Sequence, residues 1–303
     1  MAFTAKDVQA LREKTGCGMM DCKKALTETN GDMEAATDYL REKGLASQAK
    51  KATRIAAEGT VCAYANNGVG VVVELNSETD FVANGDGFKA LAAEVAQIVA
   101  EQNPADVDAL LKCEKDGQTV EEKVQELFLA IRENIKVRRF VRYEGKVVSY
   151  IHGGGKIGVL VNFETDAAAD NAELVACGKN IAMQIAAMNP AFLDEASVPA
   201  DVIEKEKAIM VAQMKEDPKM ANKPEAVLAK IVEGKVGKYY SENCLVDMEF
   251  VKDNQYTVGK YVDHCAKELG GSIKVADYVR FERGEGIAKR EDNFADEVAS
   301  MVK

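Results

Sequence analysis

Two copies of the tripeptide Glu-Thr-Asp are the residues of this chain best suited to chemistry. They lie at residues 78–80 and 164–166, and each places two carboxylates within three positions. Paired carboxylates serve as general acids and bases or bind hard metal ions. Neither copy has a nucleophile or a third metal ligand nearby. We therefore predict that the chain is not an enzyme and holds no metal or cofactor. An enzyme that uses Asp80 and Asp166 with a metal is the alternative.

Histidine and cysteine offer little material for other catalytic sites. The chain has two histidines, His152 and His264, which leaves most metal sites and most Ser/Cys–His catalysis without their parts. The seven cysteines are scattered and include no C-x-x-C pair, which argues against a zinc or thioredoxin-type site. We expect reduced, mostly buried thiols.

A glycine-rich stretch at residues 152–156 suggests a phosphate-binding loop at first sight. It lacks the G-x-x-x-x-G-K-[ST] spacing and a helix directly after its lysine. Glycines between two apolar runs are typical of a β-hairpin turn. We predict such a turn, with His152 exposed at its tip, where it could contact a partner.

The first Glu-Thr-Asp copy continues into Phe81, which is odd chemistry for a solvated connection. An apolar run at residues 69–75 predicts a strand before it, and residues 85–87 predict a turn before a helix. Loops on a rigid scaffold are where function concentrates. In the second copy the aspartate is followed by three alanines, so the fold does not require the aromatic. We predict that Asp80 and Phe81 face a partner; Phe81 as an ordinary core residue is the alternative.

Both copies belong to an internal repeat. Residues 58–105 match residues 144–191 at a constant offset of 86, without gaps. Each copy predicts two strands joined by a glycine turn, then a loop and a helix that stops before a proline. Two copies of one α+β unit predict two similar subdomains, at residues 55–140 and 141–282.

A small unit of three helices is predicted at residues 1–54. Thr4 and Asp32 are favoured caps for its first and third helices. Gly44 is predicted to end the third helix, which leaves Lys51 in the linker that follows. Helices this short are marginal alone and must pack together.

Met19 and Met20 at the start of the second helix suggest that this unit binds a partner. Methionine is adaptable and is over-used at binding surfaces. The alternative is that one of the two packs inside the unit.

Proline placement predicts an insertion in the second subdomain. Four of the five prolines fall between residues 190 and 224 and bracket two helix-length runs. We predict an antiparallel helical hairpin at about residues 194–243, whose apolar seam is a candidate contact for a second subunit or a partner. Strands are predicted at residues 245–251 and 276–282. Residues 283–303 are predicted to form a C-terminal module with a helix capped at Asp292.

Composition limits the partners further. A net charge of −11 disfavours nucleic acid, which is bound by basic surfaces. The basic run at residues 136–142 has acidic neighbours, and we interpret it as a solvated face. No apolar run approaches the roughly 20 residues of a membrane span, and no apolar signal region is present. We predict a cytoplasmic protein with no direct nucleic-acid or membrane partner.

Taken in order, these segments resemble the bacterial translation elongation factor Ts family over the whole chain. The motifs are LREKTGCGMMDCKKAL at residues 11–26, TDFVA at residues 79–83, HG with GVL at residues 152–160, and VRFE with GEG at residues 279–286. The resemblance implies an N-terminal three-helix unit similar to ubiquitin-associated domains. The predicted hairpin fits the coiled coil that this family inserts in its second subdomain.

The resemblance implies guanine-nucleotide exchange on elongation factor Tu. In the family an Asp-Phe pair intrudes near the partner's magnesium site, and the N-terminal unit lies on the partner's nucleotide domain. The predicted magnesium-dislocating loop is Thr79, Asp80, Phe81 and Val82. The predicted partner-binding residues are Met19, Met20, Lys23, Lys51 and His152. A scaffold or chaperone of elongation factor Tu that exchanges no nucleotide is the alternative, and a homodimer or 2:2 complex through the hairpin stays open.

Overall fold

The computed structural model describes residues 3–216 and 223–288 as a mixture of helices and antiparallel sheets, which confirms the predicted α+β class. The helices are α1 (Ala5–Thr15), α2 (Met19–Glu28), α3 (Met33–Lys51), α4 (Asp80–Ala83), α5 (Asp86–Gln102), α6 (Val107–Leu111), α7 (Val120–Ile131), α8 (Ala172–Met188), α9 (Ala200–Glu216), α10 (Glu225–Asn243) and α11 (Val258–Leu269). The strands are β1 (Glu58–Asn66), β2 (Val69–Ser77), β3 (Glu114–Lys115), β4 (Gln118–Thr119), β5 (Lys136–Glu144), β6 (Lys146–His152), β7 (Ile157–Thr165) and β8 (Ile273–Glu282).

Local capping signals define the ends of the first helices. Thr4 and Asp7 form a capping box at α1, and Asp32 accepts two amide hydrogen bonds in the first turn of α3. Gly16 ends α1 in the left-handed region at φ 67°, which costs glycine no steric strain. The three helices share a core that also takes in a leucine of α7. Its members include Leu11, Cys22, Leu26, Leu40 and Leu129.

Gly44 is a packing residue and does not end α3, which corrects the sequence prediction. The helix continues to Lys51, so Lys51 lies in a helix and not in a linker. A Cβ atom at Gly44 would lie 2.1 Å from Cδ2 of Leu129 on α7. Glycine therefore allows α3 to lie close against α7, and this contact outweighs a helix-propensity cost of about 1 kcal/mol.

Two three-stranded antiparallel sheets form the centre of the molecule. Their strand orders are β1-β2-β5 and β6-β7-β8, so the two copies share one topology. Helix α5 covers the outer face of the first sheet, and α8 covers that of the second. The inner faces pack against each other through a small apolar cluster. Its buried members are Val61, Val72, Val147, Leu160 and Phe281.

The repeat is not gap-free in three dimensions, which corrects the predicted alignment. Gly70 in β2 and Gly158 in β7 occupy equivalent positions, at an offset of 88 instead of 86. A Cβ atom at Gly70 would lie 2.3 Å from Val147 Cγ1, and one at Gly158 would lie 2.4 Å from Val61 Cγ1. The turn of the second hairpin is two residues longer than that of the first, and this shifts β7 relative to β2.

Substitution of Gly158 tests this close approach of the sheets. Gly158→Ala is expected to destabilise the fold by about 1–3 kcal/mol, because the added carbon overpacks the interface against Val61 and Val72. Urea unfolding measures the loss. The control is Gly237→Ala on α10, where a Cβ atom meets nothing within 4 Å and stability should rise by up to about 1 kcal/mol. A Gly158→Ala protein as stable as wild type would contradict the packing.

The basic run at residues 136–142 lies in strand β5, which corrects its interpretation as a solvated face. β5 pairs with β2 and crosses the predicted subdomain boundary at residue 140. Arg138 Nη1 and Arg139 Nε donate to the buried carboxylate of Glu74, at 2.9 and 2.6 Å. Gly284 N, in the turn after β8, donates to the same carboxylate at 2.7 Å. A buried charge needs such partners, and these also tie the second sheet to the first.

The prediction of a strand at residues 245–251 is wrong. The segment begins with a short 3-10 helix at Leu245–Asp247 and continues as irregular chain. Its apolar side chains fill the second core, while its amides bond to scattered carbonyls such as those of Phe192 and Tyr256. The second predicted strand is present within β8.

Helices α9 and α10 pack along the predicted apolar seam. Phe192 N, before α9, donates to Asn243 O at the end of α10, so the two helices are antiparallel. The seam includes Ile203, Met210, Met214, Leu228, Val232, Val236 and Tyr239. Most of the predicted hairpin tip and the C-terminal helix capped at Asp292 lie outside the described residues. In the described part of the chain, no helix is long and apolar enough to cross a membrane.

Candidate partner-binding site

Phe81 stands on the surface of a single, well-anchored helical turn. It belongs to α4, which follows β2 directly. Its side chain is 87% exposed, while the next residues, Val82 and Ala83, are buried beneath it. The alternative of Phe81 as a core residue is therefore wrong. An aromatic side chain held this far into solvent is available to bury its area in a partner.

The turn is anchored at its first residue. Thr79 caps α4, and its hydroxyl accepts the Val82 amide at 3.4 Å. The Glu133 carboxylate accepts both the Thr79 amide, at 3.0 Å, and the Thr79 hydroxyl, at 2.7 Å. Asn84 closes the turn, because its amide and its side chain each donate to Asp80 O at 2.9 Å. The turn therefore presents Phe81 in a defined direction.

A second set of hydrogen bonds fixes the residue before the cap. The Glu78 carboxylate accepts the Asn134 amide at 2.7 Å and pairs with Arg54 at 3.3 Å. The buried Asn134 side chain donates to Arg54 O at 2.8 Å. Sequence reasoning missed Glu133 and Asn134, because more than 50 residues separate them from the loop and no motif marks them.

The two Glu-Thr-Asp copies are not structural equivalents. Thr165 lies in β7 and pairs with Ile273 of β8, whereas Thr79 lies beyond the end of β2. Residues 166–171 connect β7 to α8 in the second copy, and residues 78–85 connect β2 to α5 in the first. The first copy uses its additional residues to form α4. Phe81 therefore has no counterpart in the second subdomain.

Asp80 is exposed beside Phe81 on the same turn. Among the described residues, no hydrogen bond or ion pair involves its carboxylate. Within the same ranges, no group of three or more His, Cys, Asp or Glu residues could hold a metal ion. All seven cysteines are free, and five of them are buried. What the turn presents is thus an apolar ring next to a negative charge.

Helix α2 presents a second exposed apolar surface. Met19 is 44% exposed and Met20 is 72% exposed, and Lys23 is exposed one turn further along. The alternative, in which one methionine packs inside, is wrong. The opposite side of α2 supplies the core of the three-helix unit with Cys22, Ala25 and Leu26.

The remaining two predicted residues differ in their surroundings. Lys51 is half-buried, donates to Arg132 O and lies 5.9 Å from the centre of the Phe128 ring. It thereby joins α3 to the end of α7, and a contact of Lys51 with a partner stays a prediction. His152 is exposed at the end of β6, directly before the hairpin turn, and its Nδ1 lies 3.0 Å from the Tyr150 hydroxyl.

The His152 turn and α4 lie at the same end of the paired sheets. Val61 N in β1 donates to Gly155 O in this turn, at 2.8 Å. The start of β1 pairs with the end of β2, since Glu58 lies opposite Ser77, and α4 follows β2. The fold therefore brings residues from both copies towards one end of the molecule.

Comparison with known proteins gives one consistent result. The sequence model of the family described as Elongation factor TS matches residues 78–285, from the anchor of α4 to the turn after β8. The chain is 50% identical to elongation factor Ts of Clostridium perfringens (strain SM101 / Type A), over 99% of each chain. It is 47% identical to elongation factor Ts of Syntrophotalea carbinolica over 100% of each chain. It is also 46% identical to elongation factor Ts of Magnetococcus marinus, over 100% of each chain.

Proposed function

The chain belongs to the elongation factor Ts family, and on this basis we propose that it releases GDP from the GTPase elongation factor Tu. Membership makes it a translation elongation factor. Nucleotide exchange makes and breaks no covalent bond in the factor, so no catalytic side chain is needed. Translation takes place in the cytoplasm, where we expect the protein to act.

The observation that carries the proposal is the exposure of Phe81 on an anchored turn. A GTPase holds GDP with a backbone cradle and a magnesium ion. Magnesium demands near-ideal octahedral geometry, so a small displacement of its ligands weakens its binding. We infer that Phe81 inserts between side chains of the partner and moves the elements that support those ligands. Asp80 then competes for local hydrogen bonds, and its charge disfavours the return of phosphate.

Linkage sets the condition for exchange. The factor must bind the nucleotide-free GTPase more tightly than the GDP-bound GTPase. A nucleotide that binds afterwards weakens the factor's affinity by the same ratio, which frees the factor for another cycle. A rigid α4 favours tight binding, because the Phe81 wedge, which is the Phe81 side chain on its preformed turn, loses little entropy when it inserts into the partner.

The three-helix unit is the proposed docking element. Its exposed Met19, Met20 and Lys23 supply apolar area and one positive charge for the nucleotide-binding domain of elongation factor Tu. His152 is proposed to contact the partner from the second subdomain. The proposed organisation is thus a docking unit at residues 1–54, two core subdomains and a hairpin. Self-association through the hairpin remains a prediction, which light scattering of the purified chain would check.

Release of a fluorescent GDP analogue from elongation factor Tu tests the proposal. We expect the chain to raise the release rate with saturating dependence on its concentration. Excess magnesium should oppose the effect, because the proposed mechanism weakens the magnesium site. A chain that binds elongation factor Tu without changing the release rate would be a scaffold or chaperone instead.

The double variant Met19→Ser/Met20→Ser tests the docking surface. We expect the factor concentration for half-maximal release to rise by about 10-fold, since loss of two exposed apolar contacts costs on the order of 1–2 kcal/mol of binding. The maximal release rate should stay close to that of wild type. The control is Met188→Ser, an exposed methionine on α8. An unchanged half-maximal concentration would remove α2 from the interface.

A further inference from the structure

One short segment after α7 contacts both elements of the proposed interface. Arg132 ends α7 in the left-handed region, and its guanidinium pairs with Asp21 of α2 at 2.9 Å. The next residue, Glu133, holds the cap of α4. Asn134 then donates its amide to Glu78. Three consecutive residues therefore link the docking helix to the turn that carries Phe81.

The contact between Glu133 and Thr79 uses both oxygens of the carboxylate. Oε2 accepts the Thr79 amide at 3.0 Å, and Oε1 accepts the Thr79 hydroxyl at 2.7 Å. Hydrogen bonds to an ionised acceptor are about twice as strong as neutral ones. The amide of Asn134 and the carboxylate of Glu78 form the reciprocal bond alongside. Residues 78–79 and 133–134 thereby hold each other from both sides.

This geometry determines which way the Thr79 hydroxyl points. Its proton is given to Glu133, so its lone pairs are left to accept the Val82 amide that starts the helical turn. The direction of the cap decides where the first turn of a helix lies. Phe81 is in that turn and has no packing of its own to hold it, because it is 87% exposed. The direction in which the Phe81 ring points thus depends on the Thr79 cap and on the Glu133 carboxylate, which orients this cap.

We infer that Glu133 is a positioning residue, which orients the Thr79 cap and thereby aims Phe81 at the partner GTPase. The inference rests on the proposed function. Glu133 acts through Thr79 and Phe81 and does not itself need to touch the partner. Its role differs from that of a stabilising residue, because it should affect the exchange step more than folding or association.

The variant Glu133→Gln tests the positioning role of Glu133 directly. Glutamine preserves the size of the side chain, but only one of its two terminal atoms can accept a hydrogen bond. We expect the maximal rate of GDP release to fall by about 5- to 10-fold, in line with the loss of a helix cap. The factor concentration for half-maximal release should stay unchanged. The matched control is Glu121→Gln, the same charge change at an exposed position of α7.

A double-mutant cycle separates positioning from general stabilisation. In a Phe81→Ala background, Glu133→Gln should cause no further loss of rate, because residues that act through one another are not additive. Amide hydrogen exchange of the factor alone gives a readout without activity. Exchange at Val82 and Ala83 should accelerate in Glu133→Gln and remain unchanged in Glu121→Gln.

Several results would overturn the inference. A full maximal rate in Glu133→Gln would do so, as would a loss confined to the half-maximal concentration. An equal further loss in the Phe81→Ala background would show that Glu133 does not act through Phe81. These failures are distinct from failure of the proposed function, in which the wild-type chain itself would not accelerate GDP release.

Discussion

Replacing Phe81 with alanine is expected to slow factor-stimulated GDP release by about 30-fold or more, which corresponds to about 2 kcal/mol. An aromatic side chain at the centre of an interface commonly contributes that much. The expected cost to folding is within about 0.5 kcal/mol, because an exposed side chain leaves no cavity when it is removed. The variant should therefore separate exchange from stability.

The measurement is stopped-flow release of a fluorescent GDP analogue at saturating factor, with affinity for nucleotide-free elongation factor Tu determined separately. Phe81→Leu should retain part of the activity, since leucine keeps apolar volume without the ring. Val251→Ala, which truncates an exposed side chain in the second subdomain, should behave as wild type. A wild-type release rate in Phe81→Ala with binding intact would rule out the wedge.

Removal of the buried Glu74 carboxylate is expected to destabilise the fold strongly. Glu74→Ala should cost about 3–5 kcal/mol, because it leaves two arginines without the anion that they share. Arg138, Arg139, Asn76 and the Gly284 amide all donate to this fully buried side chain. Its loss should also loosen the turn after β8, which joins the two sheets. Urea unfolding with circular dichroism detection measures the change.

The same carboxylate gives the protein a specific response to acid. Burial by itself would raise the pKa of Glu74, but hydrogen bonds from Gly284, Asn76, Arg139 and Arg138 together outweigh burial and lower the pKa below the usual range of a glutamate. A carboxyl whose pKa is lower in the folded state than in the unfolded state stabilises the fold above its unfolded pKa. That contribution is lost as the pH falls through the folded pKa.

Unfolding measured between pH 6 and the acid limit would test this linkage. The free energy of unfolding of wild type should decrease from about pH 5 downward, and the decrease should be shallower in Glu74→Gln. The control is Glu164→Gln, which removes an exposed carboxylate paired with Lys274 at 3.8 Å. Identical pH profiles for wild type and Glu74→Gln would exclude Glu74 as the source.

Local signals in the sequence were sufficient for much of the fold. Thr4 and Asp32 cap helices because a side-chain oxygen satisfies amides two or three residues away. Helices α5 and α8 stop before their prolines, as the repeat predicted, and the structure shows that Asn103 and Asn189 end them in the left-handed region. The motifs identified the family, and the divergence after the two aspartates singled out Phe81. Each of these inferences depends on a short run of neighbouring residues, or on the comparison of two such runs.

What the sequence could not supply are the contacts between residues that are far apart along it. The sequence predicts a helix end at Gly44, whereas the structure shows that Gly44 packs against Leu129. The sequence suggests that the arginines of β5 are solvated, whereas the structure pairs them with the buried Glu74. The longer second turn shifts β7 relative to β2, and the gap-free alignment does not show this shift. The anchoring of the Phe81 turn by Glu133 belongs to the same group. Tertiary packing decides them, because burial and hydrogen-bond partners are set by which surfaces meet.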